Sequence, residues 1–434
     1  MRLSRADHDS RGRRPPSSRA VVRPAGATPP APPGPGPRSV DADVLAAVEA
    51  TLGEILAERV ASCAALDPLF GDDLAARLAG FTLGGGKRTR PRLLWWSFRA
   101  CGGRDQERAA AALRIAAALE LLQSCALVHD DVMDDSSLRR GRPALHTAVA
   151  RQYGGAEEFG RSAALLAGDL ALAWADDEVA ETCRRTPGTG PVLGLWRDLR
   201  TEMVAGQYLD LHGQLTAARA PDRAVRVACL KSARYSVERP IALGAALAGA
   251  PPRTSAELSA AGRCAGVAFQ LRDDLHGVFG RPHTTGKPSG DDLRQGKPTY
   301  LLAVARVRAE ARRDTEALAV LDLRVGDASL TEEQVDDVRE VLERTGARAA
   351  VERRIERLAT RSLRHLTAAG LPAGPGDRHL RDLLRTAAGA RSPVEARAGT
   401  GAAAPSGAAV TVGAAAAAGP PPRTVLTSAL REEA

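Results

Sequence analysis

LVHDDVMDDSSLRRGRPALH, residues 127–146, sets four aspartates within six positions behind a run of apolar residues, then supplies Arg139, Arg140 and Arg142. So dense a block of negative charge repels itself unless a divalent cation, a neighbouring basic side chain or bulk water compensates it. Asp130, Asp131 and Asp134 form a DDxxD pattern. On a helix they fall near 0°, about 100° and about 40°, so the three are expected to share one face. Carboxylates grouped in this way are hard oxygen ligands, suited to magnesium that stays partly hydrated and also bridges a substrate phosphate. A solvated acidic helix end is the plain alternative. Asp135 falls off that face and is expected to point elsewhere.

A second acidic segment weakens the plain alternative. FQLRDDLHGVFG, residues 269–280, carries Asp273 and Asp274 behind another apolar helix, with Gln270 one turn earlier on the same face. Position 277, where the first pattern would place a third aspartate, is glycine. Two acidic faces in one bundle can converge on several metal ions. Metals held this way need an anion, and the basic segments suggest one. GGGKRTRPR at 84–92 combines three glycines with Lys87, Arg88, Arg90 and Arg92. Glycines admit close backbone approach to an anion, and clustered cations neutralise it. The segment is no P-loop, because the GxxxxGK[ST] spacing is missing. TGKPSGDDLRQGKPT at 285–299 adds Lys287 and Lys297, and KSARYSVERP at 231–240 adds Lys231. Together these describe a site for more than one diphosphate.

The rest of the chain supplies the frame. At 434 residues it can bury a large core. Alanine and leucine dominate and aromatics make up 3%, which favours helix over sheet. Apolar residues recur at three- and four-residue spacing over 42–62, 105–134, 160–180, 224–248, 255–280, 298–321 and 331–368, with no convincing alternating strand. An all-α, single-domain helical bundle of about ten or more helices is expected over 41–388. Residues 1–40 and 389–434 read as disordered tails rich in Pro/Arg and in Ala/Gly/Pro respectively. Most of the formal net charge of +8 sits in the first tail, which holds eight arginines against two aspartates, so nucleic-acid binding is not expected. Six scattered cysteines without a CxxC pair suit a reducing compartment. The longest apolar run, 109–128, is interrupted by Arg114, Glu120 and Gln123, as in a core helix rather than a membrane span. With no signal peptide visible, a cytoplasmic protein is expected.

Across 41–388 the chain resembles the polyprenyl synthetases, the trans-isoprenyl diphosphate synthases. The resemblance rests on seven segments in family order. They are GGKRTRP (85–91), ELLQSCALVHDDVMDDSSLRRGRP (120–143), AGDLALAWA (167–175), GQYLDL (206–211), KSARYSVERP (231–240), FQLRDDLHGVFG (269–280) and TGKPSGDDLRQGKPT (285–299). It implies an all-α fold with a central cavity, a homodimer, and condensation of an allylic diphosphate with isopentenyl diphosphate, using two or three Mg²⁺ ions. Asp130, Asp131, Asp134, Asp273 and Asp274 match the magnesium ligands. Arg139, Lys231 and Lys297 match contacts to the allylic diphosphate, with Lys287 in the same loop. Lys87, Arg90 and Arg140 match contacts to isopentenyl diphosphate, and Gln123 stands where many members have histidine. Gln207 and Asp210 match a helix facing the cavity. Gln270 precedes the second aspartates, and Ser232 replaces a common threonine. Gly277 departs from the five-residue aspartate pattern.

The resemblance also bears on product length, because bulky residues four and five positions before the first aspartate stop chain growth early in the family. Here these are Ala126 and Cys125, both small. A growing chain is expected to pass them and meet a lower floor at Leu122 and Leu119. Geranylgeranyl diphosphate is the expected product, with a longer polyprenyl diphosphate as the alternative. A non-catalytic diphosphate-binding subunit is the remaining reading.

Overall fold

The computed structural model describes residues 36–216, 220–280 and 290–389. The two tails, apart from residues 36–40 and 389, and Lys287 lie outside the described residues. The described part of the first tail is not irregular: α1 opens at Pro37.

The helices are α1 (Pro37–Ala42), α2 (Val44–Leu66), α3 (Ala76–Leu83), α4 (Thr89–Ala100), α5 (Gln106–Met133), α6 (Leu145–Gln152), α7 (Glu157–Arg185) and α8 (Gly190–Leu215). They continue with α9 (Pro221–Val227), α10 (Arg239–Leu247), α11 (Pro252–Phe279), α12 (Asp291–Arg294), α13 (Tyr300–Arg312), α14 (Thr315–Arg324), α15 (Glu332–Arg344), α16 (Ala347–Ala368) and α17 (Pro375–Ala387). Two π-helical segments, Phe70–Ala75 and Ala228–Glu238, interrupt the regular winding. The all-α expectation holds, with corrections of detail. The single segments expected at 298–321 and 331–368 are each two helices. Arg313 takes a left-handed φ of 54° and Asp314 caps α14, while Gly346 at φ 70° separates α15 from α16. Side-chain caps mark several starts, including Asp105 to the Arg108 N–H before α5 and a Thr331–Gln334 capping box before α15.

A two-residue antiparallel pair, β1 (Leu138–Arg139) and β2 (Arg142–Pro143), was not anticipated. Arg140 and Gly141 lie between its strands at φ 54° and 72°, the two positive angles of a tight hairpin turn whose twist matches its strands.

The main core gathers α2, α4, α5, α10 and parts of α7, α8 and α11, including Leu52, Trp95, Phe98, Leu119 and Leu122. A second core joins the end of α11 to α13–α16. Helix α5 is long and apolar enough to cross a membrane, but 83% of that apolar window is buried inside the protein. It is a core helix, as its internal Arg114, Glu120 and Gln123 suggest. Arg114 and Glu120 are paired there with Glu178 and Arg88.

Candidate active site

A cavity of about 1580 Å³ opens where α5, the hairpin, α8, the second π-helical segment, α11 and α12 converge. Glycines set the approach of the elements. A Cβ on Gly206 of α8 would meet the backbone of Leu230 and Lys231, and one on Gly266 of α11 would meet the backbone of Ala233. Both helices therefore lie closer to the π-helical segment than any side chain would allow. That segment's wider winding presents Lys231, Ser232, Tyr235 and Ser236 together to the cavity.

The first acidic cluster divides its work. Asp130 and Asp134 line the cavity. Gln207 Nε2 donates to Asp130 Oδ1 at 3.0 Å, and Lys231 Nζ lies 3.4 Å from the same oxygen and 2.7 Å from Asp210 Oδ2. Burial pulls the Lys231 ammonium down, but Asp130 and Asp210 outweigh it and hold its pKa above the usual lysine value. Asp131 does not join this face. It is fully buried and receives the Arg139 Nε–H at 2.8 Å, with a second contact from the same guanidinium. The expectation that all three aspartates share the cavity face is corrected. Asp131 sits about 100° from Asp130, and only the sector holding Asp130 and Asp134 is open. Asp134 caps the helix, just beyond its last residue. Asp135 points away, as expected, and pairs with Arg161 at 2.6 Å.

The second cluster lies across the cavity. Asp273, Asp274 and Gln270 all line it, and Gln270 Nε2 donates to Asp274 Oδ1 at 2.9 Å. Burial pushes the Asp274 carboxyl up to about 8, and the nearby Asp292 and Asp273 add to the rise. Burial likewise raises Asp134, with Asp130 contributing. Burial and neighbouring carboxylates raise both groups while Lys297 and Lys231 oppose the rise at Asp134, and a bound cation would favour the ionised form of each. Among the described residues, no three His, Cys, Asp or Glu side chains are gathered closely enough to hold a metal ion by themselves. An open, all-oxygen arrangement fits magnesium, which keeps several waters and completes its shell with substrate phosphate.

A further set of cationic side chains lines the same cavity around Gly86. Gly85 and Gly86 take φ angles of 107° and 130°, and a Cβ on Gly86 would lie 3.1 Å from an Arg140 nitrogen. The Arg140 guanidinium donates to the Gly85 carbonyl. Arg90 donates to Ser236 Oγ at 2.8 Å and stacks 4.5 Å from the Tyr235 ring centre. Tyr235 in turn donates to Gln123 Oε1 at 2.8 Å. Lys87 lines the cavity with them. Of the four basic residues in the 84–92 segment, Arg88 is diverted: it is buried against Glu120 at 2.6 Å and the Thr82 carbonyl at 2.9 Å. Arg92 does not line the cavity.

Ser232, Lys297, Cys125 and Ala126 also line it. The Cys125 thiol is pushed up to about 12 by burial, with Asp169 and Asp176 adding to the rise, so it forms a neutral wall. Leu119 and Leu122 are buried in the main core and do not line the cavity. The expected floor is therefore not there. Sequence reasoning also missed Tyr235, Ser236 and Asp292. The first two lie one turn beyond Lys231, and the change to π winding that brings them in leaves no clear mark in a single sequence.

Residues 73–342 match the family model for polyprenyl synthetases. A geranylgeranyl pyrophosphate synthase from Corynebacterium glutamicum, solved with isoprenyl diphosphate and magnesium, superposes with a TM-score of 0.74 at 37% identity, covering 81% of this chain and 99% of that one. A geranylgeranyl diphosphate synthase of Mycobacterium tuberculosis is 32% identical, covering 65% of this chain and 81% of its own length. A (2E,6E)-farnesyl diphosphate synthase of Mycobacterium bovis is 33% identical, covering 67% and 76%. The chain belongs to the polyprenyl synthetase family.

Proposed function

We propose that this protein is a Mg²⁺-dependent trans-prenyltransferase that condenses an allylic diphosphate with isopentenyl diphosphate to form geranylgeranyl diphosphate. The observation that supports it best is one cavity lined by two sets of cations with different neighbours. Arg139, Lys231 and Lys297 stand among carboxylates. Arg90 and Arg140, with Lys87 beside them in the sequence, instead meet Ser236, Tyr235 and the Gly85 carbonyl. A single-diphosphate enzyme needs only one such set.

Asp130, Asp134, Asp273 and Asp274 would hold the magnesium, with Asp131 acting through Arg139. When bound, magnesium draws charge from the leaving diphosphate as the allylic C–O bond breaks. Arg139, Lys231 and Lys297 neutralise the same diphosphate, and Ser232 and Gln270 complete its surroundings. Lys287 is assigned there by its place in the family pattern. Lys87, Arg90, Arg140 and Gln123 hold isopentenyl diphosphate, orienting its double bond toward the forming cation.

Product length rests on the cavity wall, because the relatives include both farnesyl and geranylgeranyl synthases. Cys125 and Ala126 are small and leave room beside Asp130. The deciding experiment incubates the protein with Mg²⁺, labelled isopentenyl diphosphate and each allylic diphosphate in turn, and resolves products by chain length. A C20 product is expected. A longer ladder would move the assignment to a long-chain synthase, and binding without turnover would move it to a non-catalytic subunit. Ala126→Phe should shorten the product; an unchanged distribution would place the stop on another helix.

The homodimer belongs to the same proposal. Helices α7 and α8 expose Leu165, Leu166, Leu193, Val204 and Tyr208, an apolar surface fit for a second copy. All six cysteines are free thiols, in keeping with a cytoplasmic location.

A further inference from the structure

We propose that Glu202 and Glu238 are positioning residues for the reaction. From behind the cavity they hold the Ala228–Glu238 segment in its π winding, and that winding delivers Lys231, Ser232, Tyr235 and Ser236 to the substrates. This deepens the function proposed above and rests on it.

The winding decides which side chains face inward. Val227 and Ala228, Lys231 and Ser232, Tyr235 and Ser236 line the cavity as one adjacent pair in every four residues. In an α-helix each residue turns about 100°, so a stripe of that spacing drifts by about 40° per repeat. Counted from Lys231, α winding would put Ser236 about 140° away and bring Glu238 within about 20° of Lys231. The wider turn of a π-helix counters that drift. It keeps both pairs inward and leaves Glu238 at the back, buried against Arg263 of α11. A π run of 11 residues is long for a winding that is mostly confined to single turns. Contacts from outside the segment must hold it.

Two charged clamps do so, one to each neighbouring helix. On the α8 side, Glu202 accepts from Arg239 Nη2 at 2.5 Å and Nε at 2.8 Å, and also from Arg234. On the α11 side, Glu238 accepts from Arg263 Nη2 at 2.6 Å and Nε at 2.8 Å. Arg234 Nε lies 3.6 Å from Glu238 Oε2 and joins the two clamps. None of these five residues lines the cavity. Each clamp stands beside a close backbone approach. Glu202 precedes Gly206 by one turn, and Arg263 follows Gly262, where a Cβ would meet Glu238 Cα at 2.9 Å. The glycines let the helices come near, and the two-bond pairs fix the rotation of the segment between them. Removing one member leaves its partner's charge uncompensated, which releases that rotation.

The test uses the full-length protein with Glu202→Gln and Arg263→Gln. Glutamine at 202 keeps the size of the side chain and removes only its charge. Arg263 is half exposed, so its variant disturbs packing little and tests the α11 clamp alone. Circular dichroism checks that each is folded. Amide hydrogen exchange should quicken about tenfold over 228–238 while α2 and α5 stay protected. The KM for the allylic diphosphate should rise about tenfold with kcat changed less, and inorganic diphosphate with Mg²⁺ should bind more weakly in parallel. Glu202→Asp, which keeps the charge, should recover part of the loss. Unchanged exchange over 228–238, or an unchanged KM, would overturn the proposal. So would two variants that fail to fold, or a lower kcat at the original KM, since either leaves the glutamates a structural role alone. Wild-type protein that neither binds diphosphate with Mg²⁺ nor turns over would overturn the proposed function, while the exchange data would still show what holds the winding.

Discussion

Asp130 and Asp131 are neighbours in sequence with opposite surroundings. Asp130 faces the cavity, accepts from Gln207 and shares Lys231 with Asp210; Asp131 is buried, holding Arg139. One Asp131 oxygen, Oδ2, has no hydrogen-bond partner, so this buried pair depends on the guanidinium for its compensation. Asp130→Ala is expected to lower kcat/KM by about 10³-fold or more, as befits loss of a group acting on the leaving diphosphate. Asp131→Asn keeps an acceptor for Arg139 and should act mainly by raising KM for the allylic diphosphate, with the Mg²⁺ requirement nearly unchanged. Steady-state kinetics of both variants against Mg²⁺ checks this. If Asp131→Asn matched Asp130→Ala in rate and in Mg²⁺ dependence, Asp131 would be a ligand after all. The sequence shows the three aspartates within a 100° sector. It does not show how much of that sector the neighbouring helices leave open.

At the scale of elements, the site depends on how closely helices approach. A Cβ on Gly206 would lie 2.6 Å from the Lys231 Cα, a backbone contact that no rotamer change relieves. Gly206→Ala must therefore push α8 away from the π-helical segment, carrying Gln207 and Asp210 with it. A loss of about 1–3 kcal/mol in denaturant unfolding is expected, together with a raised KM for the allylic diphosphate. Unchanged stability and kinetics would show that the two elements have slack between them. The Gly206, Gln207 and Asp210 pattern is visible in GQYLDL, but its partner lies 25 residues further on and is not. The same limit explains Asp292. The glycine at 277 is plain in the sequence, whereas the Asp292 carboxylate that lies against it is not. Depth along α5 was illegible for a related reason. Periodicity places Ala126 on the Asp130 side correctly, but Leu122 and Leu119, further along the same helix, are buried in the main core and do not line the cavity.

At the scale of the whole molecule, the cavity and the apolar surface share a wall. Val204 and Tyr208 line the large cavity and also a shallow surface groove with Leu172, Arg197 and Arg200. Isolated exposed leucines are ordinary. Here Leu166, Leu193, Val204 and Tyr208 are 61%, 47%, 62% and 64% exposed on two successive helices, and Val204 and Tyr208 stand directly over the site. A second copy seated on α7 and α8 would cover this surface and seal that wall against water. Wild-type protein should then sediment at twice the 45.4 kDa chain mass. Leu166→Glu combined with Leu193→Glu places four new carboxylates in a two-fold interface, because each change occurs on both copies. The variant should sediment at the mass of one chain while keeping its helical circular dichroism. Its turnover should fall too, since dissociation exposes the wall formed by Val204 and Tyr208 although no cavity residue has been changed. A wild-type monomer with full activity would separate the two surfaces and leave the apolar face of α7 and α8 without a part in catalysis.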